Sequence, residues 1–161
     1  MTESNSGKQQ KLYYFEDFSQ GDENPSVTFA VTKDEVIAFA KTWDPQPFHT
    51  DEGIAKASHF GGLTACSAHI FSIYCAVAQN WEDGGKHVAL ASLGFDEMRM
   101  LKPVYAGDTL RHTSTVEGVR ESKSNPSAGI VMTRSLMVNQ NSEPVFSIKC
   151  AFLMQKRSAL G

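Results

Sequence analysis

The sequence lacks the features that define several classes of protein. It carries 15 Lys and Arg against 18 Asp and Glu, a formal charge of −3 over 161 residues. Domains that bind nucleic acid typically show a basic excess, which is missing here. No apolar run reaches the roughly 18 residues that a membrane-spanning helix needs. We therefore expect neither a nucleic-acid partner nor a membrane partner.

Cysteine is also scarce. The only three are Cys66, Cys75 and Cys150, an odd and sparse set that does not suit a disulfide scaffold and predicts reduced thiols in the cytoplasm. Residues 1–11 are polar and lack the apolar segment of a secretory signal. The sequence therefore predicts a flexible tail over 1–11, followed by a single domain over 12–161.

Compact metal-binding motifs are missing as well. His49, His59 and His69 lie near Asp44 and Asp51 in the sequence. No two of these histidines are spaced one helical turn apart, as they are in common zinc motifs. The sequence therefore predicts no metal site.

The first half of the chain has the pattern of helices. Thr32 and Glu35 form a capping box, which predicts that a helix begins there. That helix must end near Asp44, because the residue before Pro45 is disfavoured in helical conformation. A second, short helix is predicted after Asp51. It is expected to turn three apolar side chains inward, those of Ile54, Ala55 and Ala57.

The rest of the chain predicts one long helix and a set of strands. Residues 67–80 are apolar nearly all round, which is typical of a helix enclosed by other structure. A short strand is expected before the first helix, and four longer apolar segments and one clearly alternating segment follow Lys86. These strands are predicted at 26–31, 88–95, 98–104, 109–119, 130–138 and 146–154. The order favours an α+β fold with an antiparallel sheet packed on the long helix.

An acid and a histidine stand close together on a stiffened loop. Pro45 and Pro47 restrict the backbone between Asp44 and His49, so both side chains can reach one water molecule, as general acid–base chemistry requires. The alternative is that Asp44 caps a turn and His49 simply packs nearby. The helix that begins near Ser67 adds free amides, which attract developing negative charge. These parts together indicate chemistry at a carbonyl or thioester.

Three blocks of sequence carry a family resemblance. Residues 44–51, 60–65 and 101–110 read DPQPFHTD, FGGLTA and LKPVYAGDTL. In this order they resemble the MaoC-like dehydratases, the (R)-specific enoyl-CoA hydratases. The resemblance implies a hot-dog fold, in which an antiparallel sheet wraps a central helix. It also implies a homodimer with the site at or near the subunit interface, and a substrate that is an acyl thioester of coenzyme A.

The resemblance also assigns roles to residues. Asp44 matches the acid that activates water for attack on C3 of a 2-enoyl thioester, and His49 matches the histidine that orients the water and shares in proton transfer to C2. The backbone amide of Ser67 matches the oxyanion donor, which is worth about 3 to 4 kcal/mol of barrier.

Three further positions are candidates for substrate binding: Gln46, Gly62 and Cys75. The family often has asparagine where Gln46 stands, glycine where Ser67 stands and, in some members, serine where Cys75 stands. Cys75 is also readily explained as a buried core thiol. These departures bear on substrate choice more than on fold.

The resulting hypothesis is a hydro-lyase that acts on a 2-enoyl or 3-hydroxyacyl thioester without metal or redox cofactor. Two alternatives stay open, a thioesterase on the same fold and a non-catalytic subunit that binds acyl thioesters, because a fold alone does not imply activity. A nucleophilic role for Cys66 at the helix N-terminus is less favoured, since the sequence shows no oriented base beside it.

Overall fold

The computed structural model describes residues 10–160, with side chains described to residue 158. Most of the predicted tail, residues 1–9, lies outside this range. The first described strand, β1 (Leu12–Tyr13), pairs in parallel with β4 (Lys86–His87), and the carbonyl of Lys11 accepts a 2.9 Å hydrogen bond from the amide of Lys86. No helix in the described range is long and apolar enough to cross a membrane.

The first helix begins and ends where the sequence predicts. Helix α1 spans Lys33–Trp43, and the Thr32 hydroxyl accepts from the amide of Glu35 while the Glu35 carboxylate accepts from the amide of Thr32. The amide of Asp44 donates to the carbonyl of Ala40 at 2.9 Å and closes the last turn. The capping box and the proline stop are both confirmed.

Two short helices follow. Helix α2 (Pro47–Thr50) was not predicted; it begins at a proline, the residue type best suited to a first helical position. Helix α3 (Glu52–Ala57) is the predicted short helix. Only Ala55 is buried, and the prediction that Ile54 also points inward is wrong, as is the same prediction for Ala57. Successive helical residues point roughly 100° apart, so a helix this short turns few positions inward.

The sheet contains six strands, all paired antiparallel. They are β2 (Glu23–Pro25), β3 (Phe29–Ala30), β5 (Ala89–Met100), β6 (Thr109–Glu121), β7 (Ala128–Val138) and β8 (Pro144–Gln155). The order is β2-β6-β7-β8-β5, with β3 also pairing with β6. The separate strands predicted at 88–95 and 98–104 are in fact one strand, β5. A β-bulge lies where the boundary between the two strands was predicted, and Glu97 in this bulge has a φ of 50°.

The long helix, α4 (Ser67–Ala78), packs across this sheet. Its inner face buries Ile70, Ile73, Tyr74 and Val77 in the main core. The predicted alternation of β8 supplies part of the opposite side of that core, with Phe146 and Ile148 almost fully buried.

The prediction that this helix is enclosed on all sides is wrong for the single chain. Three small residues are exposed along the other side of α4: Ala68, Ser72 and Ala76. The sheet covers only one face of the helix.

Burial of one histidine makes the stability of the fold sensitive to acid. His112 on β6 is 1% exposed, and this burial lowers the pKa of its imidazole from 6.5 to about 4. Between these values the unfolded chain binds a proton that the folded chain does not, so the free energy of unfolding falls as the pH falls through this window. The loss from His112 alone is expected to be about 3 kcal/mol between pH 7 and pH 4.

Urea unfolding at both pH values measures this loss. His112→Phe is expected to reduce the pH-dependent difference by about 3 kcal/mol, because phenylalanine does not titrate. If the variant loses as much stability on acidification as the wild type, the assignment to His112 is wrong.

Candidate active site

The chain turns sharply between α1 and α2, and this turn sets the positions of Asp44 and His49. The amide of Gln46 donates to the carbonyl of Asp44 at 2.7 Å, and the amide of His49 donates to the carbonyl of Gln46 at 2.9 Å. The two prolines in the turn stiffen it further. The predicted acid and histidine therefore come together on one side of the turn.

The protonation pattern of the His49 ring follows from its neighbours. Nδ1 lies 2.7 Å from the carbonyl oxygen of Thr64, which can only accept a hydrogen bond. Nδ1 therefore carries the proton in the neutral ring, and Nε2 presents a lone pair. Nε2 lies 3.9 Å from Oδ2 of Asp44, a separation too long for a direct hydrogen bond and suited to a water that bonds to both.

The two groups differ in exposure. The side chain of His49 is 10% exposed, whereas that of Asp44 is 38% exposed. Among the described residues, the Asp44 carboxylate accepts no hydrogen bond from the protein and only its backbone caps α1. The alternative in which Asp44 serves as a capping side chain is therefore not supported, and the carboxylate is available to water.

Thr64 is a site residue that the sequence did not reveal. Its segment is held by the amide of Ala65, which donates to the carbonyl of Val104 at 2.8 Å, and by that of Ala106, which donates to the carbonyl of Leu63 at 2.9 Å. This pairing aims the Thr64 carbonyl at His49. The contact involves the backbone, so the residue type at 64 carries little signal for it.

A pocket of about 280 Å³ opens beside His49. Its lining comes from the α2 turn, the segment before α4, the start of α4 and the end of β5 with the residues after it. The lining residues are His49, Phe60, Thr64, Ala65, Ser67, Ile70, Met100, Leu101, Lys102 and Pro103. Phe60 and residues 101–103 fall in the blocks that carried the family resemblance, whereas Ile70 and Met100 were not predicted.

The start of α4 faces this pocket through Ser67. Its N-cap, Cys66, offers no side-chain hydrogen bond to the amides of the first turn, which have no partners within the helix. Within the described part of the chain, this leaves the Ser67 amide available to an anionic oxygen in the pocket. Cys66 itself is 1% exposed and belongs to the core, which does not favour a nucleophilic role.

The three predicted substrate-binding residues are not among those that line the pocket. Gln46 is exposed at the start of α2. Gly62 packs under the ring of Tyr105, where an added Cβ would stand 3.3 Å from a ring carbon. Cys75 is half-buried on α4, and burial raises the pKa of its thiol. Their roles remain predictions.

The chain is similar to known proteins in sequence and in fold. Residues 19–138 match the family model of the MaoC like domain. A segment of 69 residues is 46% identical to mesaconyl-CoA hydratase from Cereibacter sphaeroides, covering 43% of this chain and 20% of that protein. The chain thus matches only a minor part of the length of that relative.

Solved structures show the same fold. The MaoC-like dehydratase from Rhodospirillum rubrum superposes with a TM-score of 0.80 and 31% identity, covering 90% of this chain and 98% of the other. A Mycobacterium tuberculosis protein described as a double hotdog fold gives a TM-score of 0.75 at 16% identity, covering 89% and 44%. The sheet wrapped on α4 is a hot-dog fold, and the chain belongs to the MaoC-like dehydratase family.

Proposed function

We propose that this protein adds water to a 2-enoyl thioester of coenzyme A to give a 3-hydroxyacyl thioester, or catalyses the reverse dehydration. The observation that carries the proposal is the His49 ring. Its Nδ1 proton is fixed on the Thr64 carbonyl, and its Nε2 lone pair faces the free carboxylate of Asp44 at 3.9 Å. A water held between a carboxylate and an imidazole lone pair is poised for proton removal.

The proposed reaction uses the groups that surround the pocket. The water oxygen bonds to C3 as its proton passes to the Asp44–His49 pair. The electrons of the C2–C3 double bond move toward the thioester and give an enolate, whose oxygen accepts a hydrogen bond from the Ser67 amide. The proton then returns to C2 and the carbonyl re-forms.

The N-terminus of α4 favours the negative charge that this reaction places on the thioester oxygen. Negative charge that develops on the thioester oxygen is stabilised by an unpaired amide and by the dipole of a helix 12 residues long. One such donor contributes about 3 to 4 kcal/mol to lowering the barrier. Hydration moves protons without net oxidation or reduction, so we propose that it needs neither a redox cofactor nor a metal.

The substrate class also draws on similarity. The 46% identical segment belongs to a protein named as a hydratase of a coenzyme A thioester, and the family match spans residues 19–138. Both support an enoyl thioester, while the acyl group of this protein's own substrate is left to experiment.

The test is the absorbance of the conjugated thioester in a panel of 2-enoyl-CoAs with short, medium, branched and carboxylated acyl groups. Loss of absorbance without release of free thiol supports hydration. Release of thiol identifies a thioesterase instead. Binding without either change identifies a non-catalytic subunit, and both of these results contradict the proposal.

We also infer that the protein forms a homodimer through β5. This strand is 12 residues long and lies at the edge of the sheet, with no partner on its outer side among the described residues. Its exposed apolar side chains include Leu90, Leu93, Phe95 and Met98. A long apolar edge strand is an aggregation hazard unless it is covered.

A second copy is the occupant that the geometry favours. An antiparallel pair of β5 strands related by a two-fold axis is self-complementary, so it would satisfy both edges at once. Met100, at the end of β5, lines the pocket beside His49. The partner copy would therefore adjoin the proposed site.

Leu93→Glu is expected to convert the dimer to monomer in sedimentation velocity, because it places two charges in the proposed interface. The matched control is Leu136→Glu. Leu136 is an exposed leucine on β7, inside the sheet. We expect the control to stay dimeric. A wild-type chain that sediments as a monomer, or a Leu93→Glu variant that remains a dimer, contradicts the inference.

A further inference from the structure

A second cavity lies between α4 and the sheet, at the other end of β8 from the pocket beside His49. Its volume is about 30 Å³. The lining combines aromatic rings with several hydrogen-bonding side chains. Among these side chains are Tyr74, His87 and His112.

Two buried nitrogen atoms at this cavity have no hydrogen-bond partner in the described part of the chain. His112 is 1% exposed, its Nδ1 lies 2.9 Å from the hydroxyl oxygen of Ser26, and its Nε2 is unpaired. Nε2 of His87 is unpaired as well. A buried polar atom without a partner carries a cost in folding free energy. A hydrogen-bonding group that enters the cavity removes this cost.

The size of the cavity limits what can enter. A volume of about 30 Å³ accommodates one or two water molecules, since each needs roughly 10 to 15 Å³ by this measure. The same space accepts the terminal hydroxyl or carbonyl of a longer molecule, provided that the rest of the molecule has a way in.

Helix α4 provides a common wall for the cavity and the pocket. Ser67 and Ile70 line the pocket beside His49, and Tyr74 and Ala78 line the cavity. Positions three or four apart share a helix face, so these four residues form one continuous stripe. Tyr74 lines the cavity and is 2% exposed, so an acyl chain that reaches from the pocket into the cavity has to pass along its ring.

The length of such a chain follows from helix geometry. Ser67 and Tyr74 are about 10 Å apart along α4, at about 1.5 Å per residue. A fully extended polypeptide advances about 3.5 Å per residue, and each residue contains three backbone bonds. An extended acyl chain therefore advances about 1.2 Å per bond. An acyl group whose thioester carbonyl meets the Ser67 amide therefore reaches the cavity with about its eighth carbon.

The neutral lining of the cavity determines which chemical group at the far end of the acyl chain can bind there. Among the described residues, no Asp, Glu, Lys or Arg lines it. Burial lowers the pKa of both His87 and His112, which keeps both rings neutral near pH 7. An unpaired carboxylate or ammonium group is strongly disfavoured in such surroundings. A neutral hydroxyl or carbonyl matches the unpaired nitrogens without this penalty.

We propose that this cavity is a specificity site for a neutral hydrogen-bonding group at the far end of a medium-chain acyl thioester, with His112 and His87 as the recognising residues. The identity of the ligand as an acyl thioester rests on the proposed function. The recognition of its far end rests on the cavity.

The test measures binding without turnover, by titration calorimetry with octanoyl-CoA and 8-hydroxyoctanoyl-CoA, neither of which has a double bond to hydrate. Wild-type protein is expected to bind the hydroxylated thioester about tenfold more tightly, the effect of one or two buried hydrogen bonds. His112→Phe and His87→Phe are expected to abolish this preference. Thr113→Val, on the opposite face of β6, is the matched control and is expected to retain it.

Each outcome decides between the claims. Equal binding of the two thioesters by the wild type means that the cavity holds water only, and overturns the specificity site. A preference that survives in His87→Phe overturns the role of that ring; because His87 is only half-buried, this variant remains informative if His112→Phe does not fold. A preference without hydration of any 2-enoyl-CoA supports the site and overturns the proposed activity. Hydration without the preference supports the proposed activity and overturns the specificity site. Failure to bind either thioester overturns the specificity site as well.

Discussion

Replacing Asp44 by asparagine is expected to lower kcat for hydration by about 10² to 10⁴-fold, the usual contribution of a positioned general base. The carboxamide has nearly the same shape as the carboxylate but does not take a proton from water. Since the Asp44 carboxylate makes no hydrogen bond to the described protein and is 38% exposed, the fold is expected to tolerate the change. KM is expected to change little, because the side chain acts on the water rather than on the thioester.

Kinetic assays with a 2-enoyl-CoA and a thermal unfolding curve measure the two effects of Asp44→Asn separately. Asp51→Asn is the matched control, at the N-cap of α3. Asp51 caps α3 by accepting from the amide of Ile54 at 2.8 Å, and asparagine caps helices about as well. Near wild-type activity is expected for this control. An Asp44→Asn variant with unchanged kcat would remove Asp44 from the mechanism.

His49→Asn is expected to reduce kcat by a similar factor of about 10² to 10⁴, for a reason that the structure makes specific. The amide nitrogen of asparagine stands near the position of Nδ1 and can still donate to the carbonyl of Thr64. The variant therefore keeps the hydrogen bond that is 2.7 Å long in the wild type and loses only the Nε2 lone pair. Activity is expected to fall while stability stays near that of the wild type.

His49→Gln provides the converse control. Its longer side chain places an amide near Nε2 and leaves the Thr64 carbonyl without its partner, which is expected to lower the free energy of unfolding by about 1 to 3 kcal/mol. Urea unfolding and steady-state kinetics on both variants separate the two roles of the ring. If His49→Asn keeps full activity, Nε2 does not contact the reacting water.

Asp44 and His49 are expected to act on one water, so their effects should not add. The double variant Asp44→Asn with His49→Asn is expected to lose little more activity than the more severe of the two single variants. Losses that multiply would indicate that the two side chains act independently.

The parts of the fold that the sequence predicted are those governed by local chemistry. Thr32 and Glu35 lie three residues apart and bond to each other's backbone, so the start of α1 is encoded within one turn. The end of α1 depends on Pro45 alone. The Asp44 and His49 pair was also within reach, because the prolines between them confine a short stretch of backbone.

The parts that were missed depend on contacts between distant segments. The role of Thr64 arises because residues 63–65 pair with residues 104–106, which no local pattern indicates. The apolar character of α4 suggested burial on all sides, yet the single chain covers one face only. His112 lies within the strand predicted at 109–119, and no local pattern in the sequence indicates that its Nε2 is buried without a partner.

The most direct test of the proposed activity follows the oxygen of the attacking water. A 2-enoyl-CoA is incubated with the protein in oxygen-18 water, and the products are examined by mass spectrometry with wild type and Asp44→Asn in parallel. We expect the wild type to place one labelled oxygen on C3 of an intact coenzyme A thioester, and the variant to do so at a rate about 10² to 10⁴-fold lower. Label in a free carboxylic acid with released thiol, or no label in any product, would contradict the proposal that Asp44 and His49 direct water to C3.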